Sequence, residues 1–192
     1  MHCLHNNSVK TALTLCLTLV LTGCSLFQSK PIPEDLDWSF TGKMALRNAS
    51  EATSFNVDWL QIGEAYQISL YGPFGQGEIT IKGQPGQVTL FQDDKKLTST
   101  SLNGLLYEAT SMDLPLDHIQ YWVRAMPQPL ETATVNKDAQ GLVESIQQAG
   151  WQVTFSDYFE ESSPRPRKLS FIKASDSGKL VIREWNPLPL TD

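Results

Sequence analysis

Cysteine and histidine are nearly missing from this chain, and their positions matter more than their number. All three cysteines, Cys3, Cys16 and Cys24, fall in the first twenty-four residues, and two of the three histidines stand at positions 2 and 5. Beyond Cys24 only His118 remains, so neither a disulfide framework nor a metal centre built on thiolate and imidazole is available to the body of the chain. His118 reads as an exposed helix residue rather than a general base. No G-x-x-x-x-G-K loop cradles a nucleotide phosphate, and no G-x-S-x-G presents a nucleophilic serine. Adjacent acids such as Asp93-Asp94 and Glu160-Glu161 sit in hydrophilic turns, where carboxylates are solvated; a pair assembled from distant positions stays open. No cofactor is expected. Positive charge is scarce as well, which disfavours nucleic acid and anionic lipid surfaces as partners. No apolar run reaches the roughly 20 residues that span a bilayer, and no internal repeat is visible.

The longest apolar run, Ala12 to Leu21, follows Lys10 and has the order of a secretory signal. It closes on Leu21-Thr22-Gly23-Cys24, which resembles the lipobox of bacterial lipoproteins. That resemblance implies cleavage after residue 23 and acylation of Cys24, and Ser25 resembles the outer-membrane sorting class. One acyl chain anchors marginally, whereas two or three anchor stably, at about 0.8 kcal/mol per buried methylene. Removing residues 1–23 takes away one lysine and no acid, leaving 14 basic and 21 acidic residues, a net charge of −7. Residues 24–37, with Pro31 and Pro33, read as an acylated N-terminus and tether.

Residues 38–192 form one expected domain, of a size able to bury a sizeable core. Alternating apolar positions predict strands around Phe40, Met44 and Leu46; Phe55, Val57 and Trp59; Ile68 and Leu70; Ile79 and Ile81; and Val88 and Leu90. The rhythm then turns helical. Leu102, Leu105, Leu106, Ala109 and Met112 predict one helix, capped by Thr100 or Ser101. Ile119, Trp122, Val123 and Met126 predict a second, capped by Asp117 and stopped by Pro127 and Pro129. Strands resume over 142–147, 151–158, 168–174 and 179–185, with Gly83 to Gly86 and Asp176-Ser177-Gly178 among the turns of the whole chain. The sum is nine or ten strands with two helices inserted midway: a mainly β protein, an unclosed antiparallel β-barrel with a helical lid over a hydrophobic cavity. The inward positions Met44, Leu46, Phe55, Val57, Trp59, Ile68, Leu70, Ile79, Ile81, Val88 and Leu90, with Leu105, Trp122 and Val123 from the lid, are the candidate walls. They suit acyl chains, or they simply pack a core together with Trp151 and Trp185.

Between the third and fourth strands lies Gly72-Pro73-Phe74-Gly75-Gln76-Gly77, a chain-reversing hairpin loop. Phe74 at such a tip either folds back on its own hairpin or is a hydrophobic probe for a membrane or another protein.

Phe40-Thr-Gly-Lys-Met-Ala45, Gly72-Pro-Phe-Gly75, Leu114-Pro115, Tyr121-Trp-Val-Arg-Ala-Met-Pro127, Gln148-Ala-Gly-Trp-Gln-Val153 and Ile182-Arg-Glu-Trp185, together with the lipobox, resemble the LolB family of outer-membrane lipoprotein receptors over 38–185. The resemblance implies a receptor that takes acylated lipoprotein cargo from the periplasmic carrier LolA and inserts it into outer-membrane phospholipid. It further implies attachment through Cys24 on the periplasmic face, a monomeric state, and a delivery loop at Pro73, Phe74 and Gly75, with Phe in place of the family's Leu. Ala125 stands where the family has Gly. The rival readings are an anchored structural lipoprotein with a packed barrel and a lipid-processing enzyme.

Overall fold

The computed structural model describes residues 37–75, 77–110 and 115–186. The expected signal segment 1–23, Cys24, most of the tether, Gln76, Met112 and Leu114 lie outside the described residues. So do the side chains of Leu106 and Ala109.

Eleven strands form one antiparallel sheet. In chain order they are β1 (Trp38–Arg47), β2 (Ala52–Ile62), β3 (Ala65–Tyr71), β4 (Ile79–Gln84), β5 (Gln87–Gln92) and β6 (Lys95–Ser99), then β7 (Ala133–Lys137), β8 (Val143–Gln148), β9 (Trp151–Tyr158), β10 (Pro166–Lys173) and β11 (Asp176–Asn186). Helices α1 (Leu102–Thr110) and α2 (Leu116–Trp122) stand between β6 and β7. The sheet order is β6-β5-β4-β3-β2-β1-β11-β10-β9-β8-β7, so β6 and β7 are free edges that the two helices bridge. The barrel is unclosed.

Two strands more than the alternation predicts are present, and both are these edges. Every residue of β7 except Ala133 is exposed, and in β6 only Ser99 is not. A strand wet on both faces needs no apolar alternation, and Lys95, Lys96 and Lys137 guard the edges against pairing with other chains. A second difference concerns glycine. Gly178 is not in a turn but inside β11, and Gly83 is inside β4; the turns are Ala174-Ser175 and Pro85-Gly86. The rings of Phe171 and Tyr66 lie across these two glycines, in space that any Cβ would fill.

Because all the pairings are antiparallel, the connections sort into two ends. The β1–β2, β3–β4, β5–β6, β8–β9 and β10–β11 turns share one end, here called upper, and the chain also enters β7 there. The chain enters β1 at the lower end, where β6 hands over to α1.

Ser101 caps α1, its Oγ accepting from the Gly104 N–H at 3.2 Å. Asp117, by contrast, does not cap α2. The N-cap is Pro115, two residues earlier, and the Asp117 carboxylate instead accepts from Asn103 Nδ2 at 3.1 Å, tying α2 to α1. At the other end of α2 the Met126 N–H reaches the Tyr121 carbonyl (3.2 Å) and the Ala125 N–H reaches that of Trp122 (2.8 Å). This is a Schellman termination, and its left-handed position is Ala125 at φ 56°. An L-residue with a Cβ is disfavoured there, which is the physical reason glycine suits the position. Ala125→Gly is therefore expected to raise stability by about 0.5–1 kcal/mol, read as a higher Tm.

Candidate functional site

The register sets the inward side chains side by side. Met44 faces Phe55; Val57, Leu70 and Ile79 form one row; Trp59, Ile68, Ile81 and Leu90 form the next; and Val88 follows beside Gly83. With Leu46, the eleven sheet positions singled out from the sequence thus share the concave face. Leu105, Trp122 and Val123 close over it from the helices, each at most 2 % exposed. Met44, Leu46, Val57, Trp59, Ile68, Ile81, Val88 and Leu90 are all buried. Phe55, Leu70 and Ile79 are only half-buried, and they stand towards the upper end, beside the β3–β4 loop.

Sequence reasoning missed Leu97, which extends the Trp59–Leu90 row onto the edge strand and is 46 % exposed. It also left out the other half of the concave face: Ile146, Val153, Phe155, Leu169, Phe171, Leu180 and Ile182, all buried. The alternation of Trp151, Val153 and Phe155 carried that signal. A shallow depression of about 700 Å³ lies elsewhere, along Ser54, Ala45, Lys179, Ser170 and Thr154, a row with the opposite parity on the outer face.

Aromatic rings fill the two halves. Trp38, Phe40, Trp59 and Trp185 pack at centroid distances of 5.5–6.2 Å, and Trp122, Trp151 and Phe171 at 5.6–6.4 Å. Burial pushes the Tyr66 phenol well above its ordinary pKa, with the Asp117 carboxylate adding to the effect, so it stays a neutral hydroxyl across the physiological range.

Among the described residues, Gln148 joins the lid to the sheet and to the segment that precedes β7. Its Oε1 accepts from Trp122 Nε1 (3.2 Å) and the Gln128 N–H (2.9 Å), while its Nε2 donates to the carbonyls of Gln128 (2.8 Å) and Glu131 (3.2 Å). His118 is not the exposed residue the sequence suggests. Its side chain is 13 % exposed, with Nε2 3.1 Å from Glu131 Oε2 and its ring against Trp122. It thereby fastens α2 to the segment that precedes β7.

At the upper rim, Gly72, Pro73, Phe74 and Gly75 make a β-turn, closed by the Gly75 N–H on the Gly72 carbonyl at 3.1 Å. Phe74 is 88 % exposed and does not fold back on its hairpin. The loop base is braced from the outer face. Asn56 Nδ2 donates to the Gly72 carbonyl (3.2 Å), and Arg183 Nη2 donates to Asn56 Oδ1 (2.8 Å).

Solved structures share this fold, an antiparallel sheet wrapped around an apolar interior and bridged by helices across its free edges. The solved LolA superfamily protein NE2245 from Nitrosomonas europaea matches it with a TM-score of 0.56 at 9% identity, over 82% of this chain and 89% of that one. A putative outer membrane lipoprotein-sorting protein domain from Vibrio parahaemolyticus matches with a TM-score of 0.50 at 11% identity, over 81% and 87%. At such identities the likeness is one of fold. The sequence goes further: residues 36–185 match the family model described as outer membrane lipoprotein LolB. Outer-membrane lipoprotein LolB of Halorhodospira halophila is 32% identical over 90% of this chain and 92% of its own length. That of Chromohalobacter salexigens is 29% identical over 94% and 92%. This chain belongs to the LolB family of outer-membrane lipoproteins.

Gln148→Ala strands the Trp122 and Gln128 donors and two carbonyls in a buried site. It is expected to destabilise the fold by at least ~2 kcal/mol in urea titrations, with hydrogen exchange over 116–131 rising before the strands open.

Proposed function

We propose that this outer-membrane receptor of lipoprotein sorting takes acylated lipoproteins from the periplasmic carrier LolA, houses their acyl chains between the concave face and the lid, and passes them to outer-membrane phospholipid at the Phe74 loop. Acylated Cys24 anchors the chain, residues 25–37 tether it, and the domain works as a monomer. The supporting observation is one continuous apolar surface. It runs from the buried rows under α1 and α2, through half-buried Phe55, Leu70 and Ile79, towards the rim that bears Phe74.

Flexible acyl chains need contact area rather than directed bonds, and a concave aliphatic and aromatic wall supplies it. With no phosphate-binding loop in the sequence, direction comes from an affinity ladder, in which each tenfold step is about 1.4 kcal/mol. The near-complete burial of Val57, Ile81, Trp122 and Val123 favours a second reading, a structural lipoprotein whose barrel is simply packed. The two part on whether the lid lifts. As a receptor, the domain must exchange its helix-to-sheet contacts for acyl-to-sheet contacts.

Two substitutions separate acceptance from delivery. Leu70 is half-buried at the mouth, so Leu70→Glu is expected to fold, as circular dichroism would verify, yet to fail to take cargo from a carrier–lipoprotein complex, because an unpaired carboxylate meets the acyl chain. Normal acceptance by the variant would mean that the acyl chains do not pass Leu70, whereas failure of the unaltered domain to accept cargo would favour the packed barrel. Phe74→Glu is expected to keep stability within about 0.5 kcal/mol and to accept cargo, but to lose transfer into liposomes, since a charge resists entry into the apolar region. Undiminished transfer would reduce the loop to an ordinary turn.

A further inference from the structure

Phe74 is matched by another side chain. Among the described residues two large apolar side chains are nearly fully exposed, Phe74 at 88 % and Leu130 at 89 %; the other exposed ones lie between 36 % and 60 %. Leu130 belongs to the segment that enters β7, and β7 starts at Ala133 opposite Gln148, beside the β8–β9 turn. That is the upper end, the end of the β3–β4 loop. The two tips therefore crown the same rim, one between β3 and β4 and the other at the free edge.

The segment around Leu130 is built rather than slack. Gln148 accepts from the Gln128 N–H and donates to the carbonyls of Gln128 and Glu131, and the Leu130 N–H donates to Gln128 Oε1 at 2.8 Å. Pro127 and Pro129, both ahead of Leu130, restrict the backbone that leads to it. The Glu131 carboxylate turns back to His118, away from a free position beside the leucine. A fully satisfied buried amide thus holds an apolar side chain out into solvent, where it touches almost nothing.

We propose that Leu130 is a second membrane-contacting tip, which enters the phospholipid surface together with Phe74 and sets the domain's rim against the bilayer at two points. The inference rests on reading the Phe74 loop as the delivery element. An isolated tip suits a fluid apolar phase, which closes around any shape, better than a protein surface, which would have to offer a matched pocket. Two points also do what one cannot. They fix the rotation of the barrel about its contact, so that the mouth between β2 and β6 faces the lipid.

The test uses the mature lipidated protein, in which Cys3 and Cys16 leave with the signal and Cys24 is acylated, so that one introduced cysteine carries the probe. Leu130→Cys, Phe74→Cys and, at the lower end, Glu64→Cys are each labelled with a polarity-sensitive fluorophore. Each is placed in phosphatidylethanolamine–phosphatidylglycerol vesicles containing a quencher lipid. Quenching at 130 and 74 but not at 64 is the expected result. Quenching at 74 without quenching at 130 overturns this inference and leaves the loop reading intact; quenching at neither removes both. A response at 130 only when the carrier is added assigns the tip to a protein partner and overturns the lipid assignment. In parallel, Leu130→Ala is expected to slow delivery into vesicles about tenfold, equivalent to losing roughly two methylenes of apolar contact, with cargo acceptance unchanged. Unchanged delivery counts against it.

Discussion

Burial of one apolar face by a sheet that does not close is the constraint under which the molecule is arranged. β6 and β7 end the strand order without pairing to each other, so the concave side chains cannot be sealed by strands alone. The segment that joins these edges has to serve as the cover. It does so with two short helices, in which Leu102, Leu105, Leu116, Ile119 and Trp122 are buried. Neither helix is long enough to be stable by itself, and both depend on the sheet they cover. Sheet and lid are each incomplete without the other.

That mutual dependence bears on exchange. The strands are locked by ladders along their length, whereas the lid is fastened by apolar contact and a short set of polar bonds: Gln148 to Trp122 and the 128–131 segment, His118 to Glu131, and Asn103 to Asp117. Local opening is drawn from the parts of a structure with the least cooperative support. Here that part lies over the apolar interior, which is where the proposed exchange of helix contacts for acyl contacts would have to take place.

Much of this was legible in the chain, because period-two burial forces a pattern on any strand with one dry face. Met44, Val57, Trp59, Ile68 and Ile81 declared their face through parity alone, and the Gly-Pro-Phe-Gly turn declared Phe74. The failures share a cause, which is contact between residues distant in sequence. β6 and β7 have no dry face, so parity had nothing to report. Gly178 and Gly83 looked like punctuation because the rings that lie across them, Phe171 and Tyr66, come from neighbouring strands. Gln148 looked like any polar strand residue until Trp122, twenty-six positions earlier, was brought to it. Leu130 followed two prolines, Pro127 and Pro129, that read only as the end of a helix, and its exposure depends on where β7 begins.

The entry of the chain at the lower end of β1 has a mechanical consequence. If Cys24 carries the lipid, as proposed, thirteen residues, 25–37, separate it from Trp38, and a chain of that length reaches at most about 45 Å. The ten residues of β1 span about 33 Å from Trp38 to Arg47. On that reading the link would be a little longer than β1 itself and would join the domain at the end away from Phe74 and Leu130. A domain tied in this way would be able to roll its rim down to the leaflet that holds its anchor, or swing the rim up towards the periplasm, without letting go. Loading and unloading would then be two orientations of one tethered body.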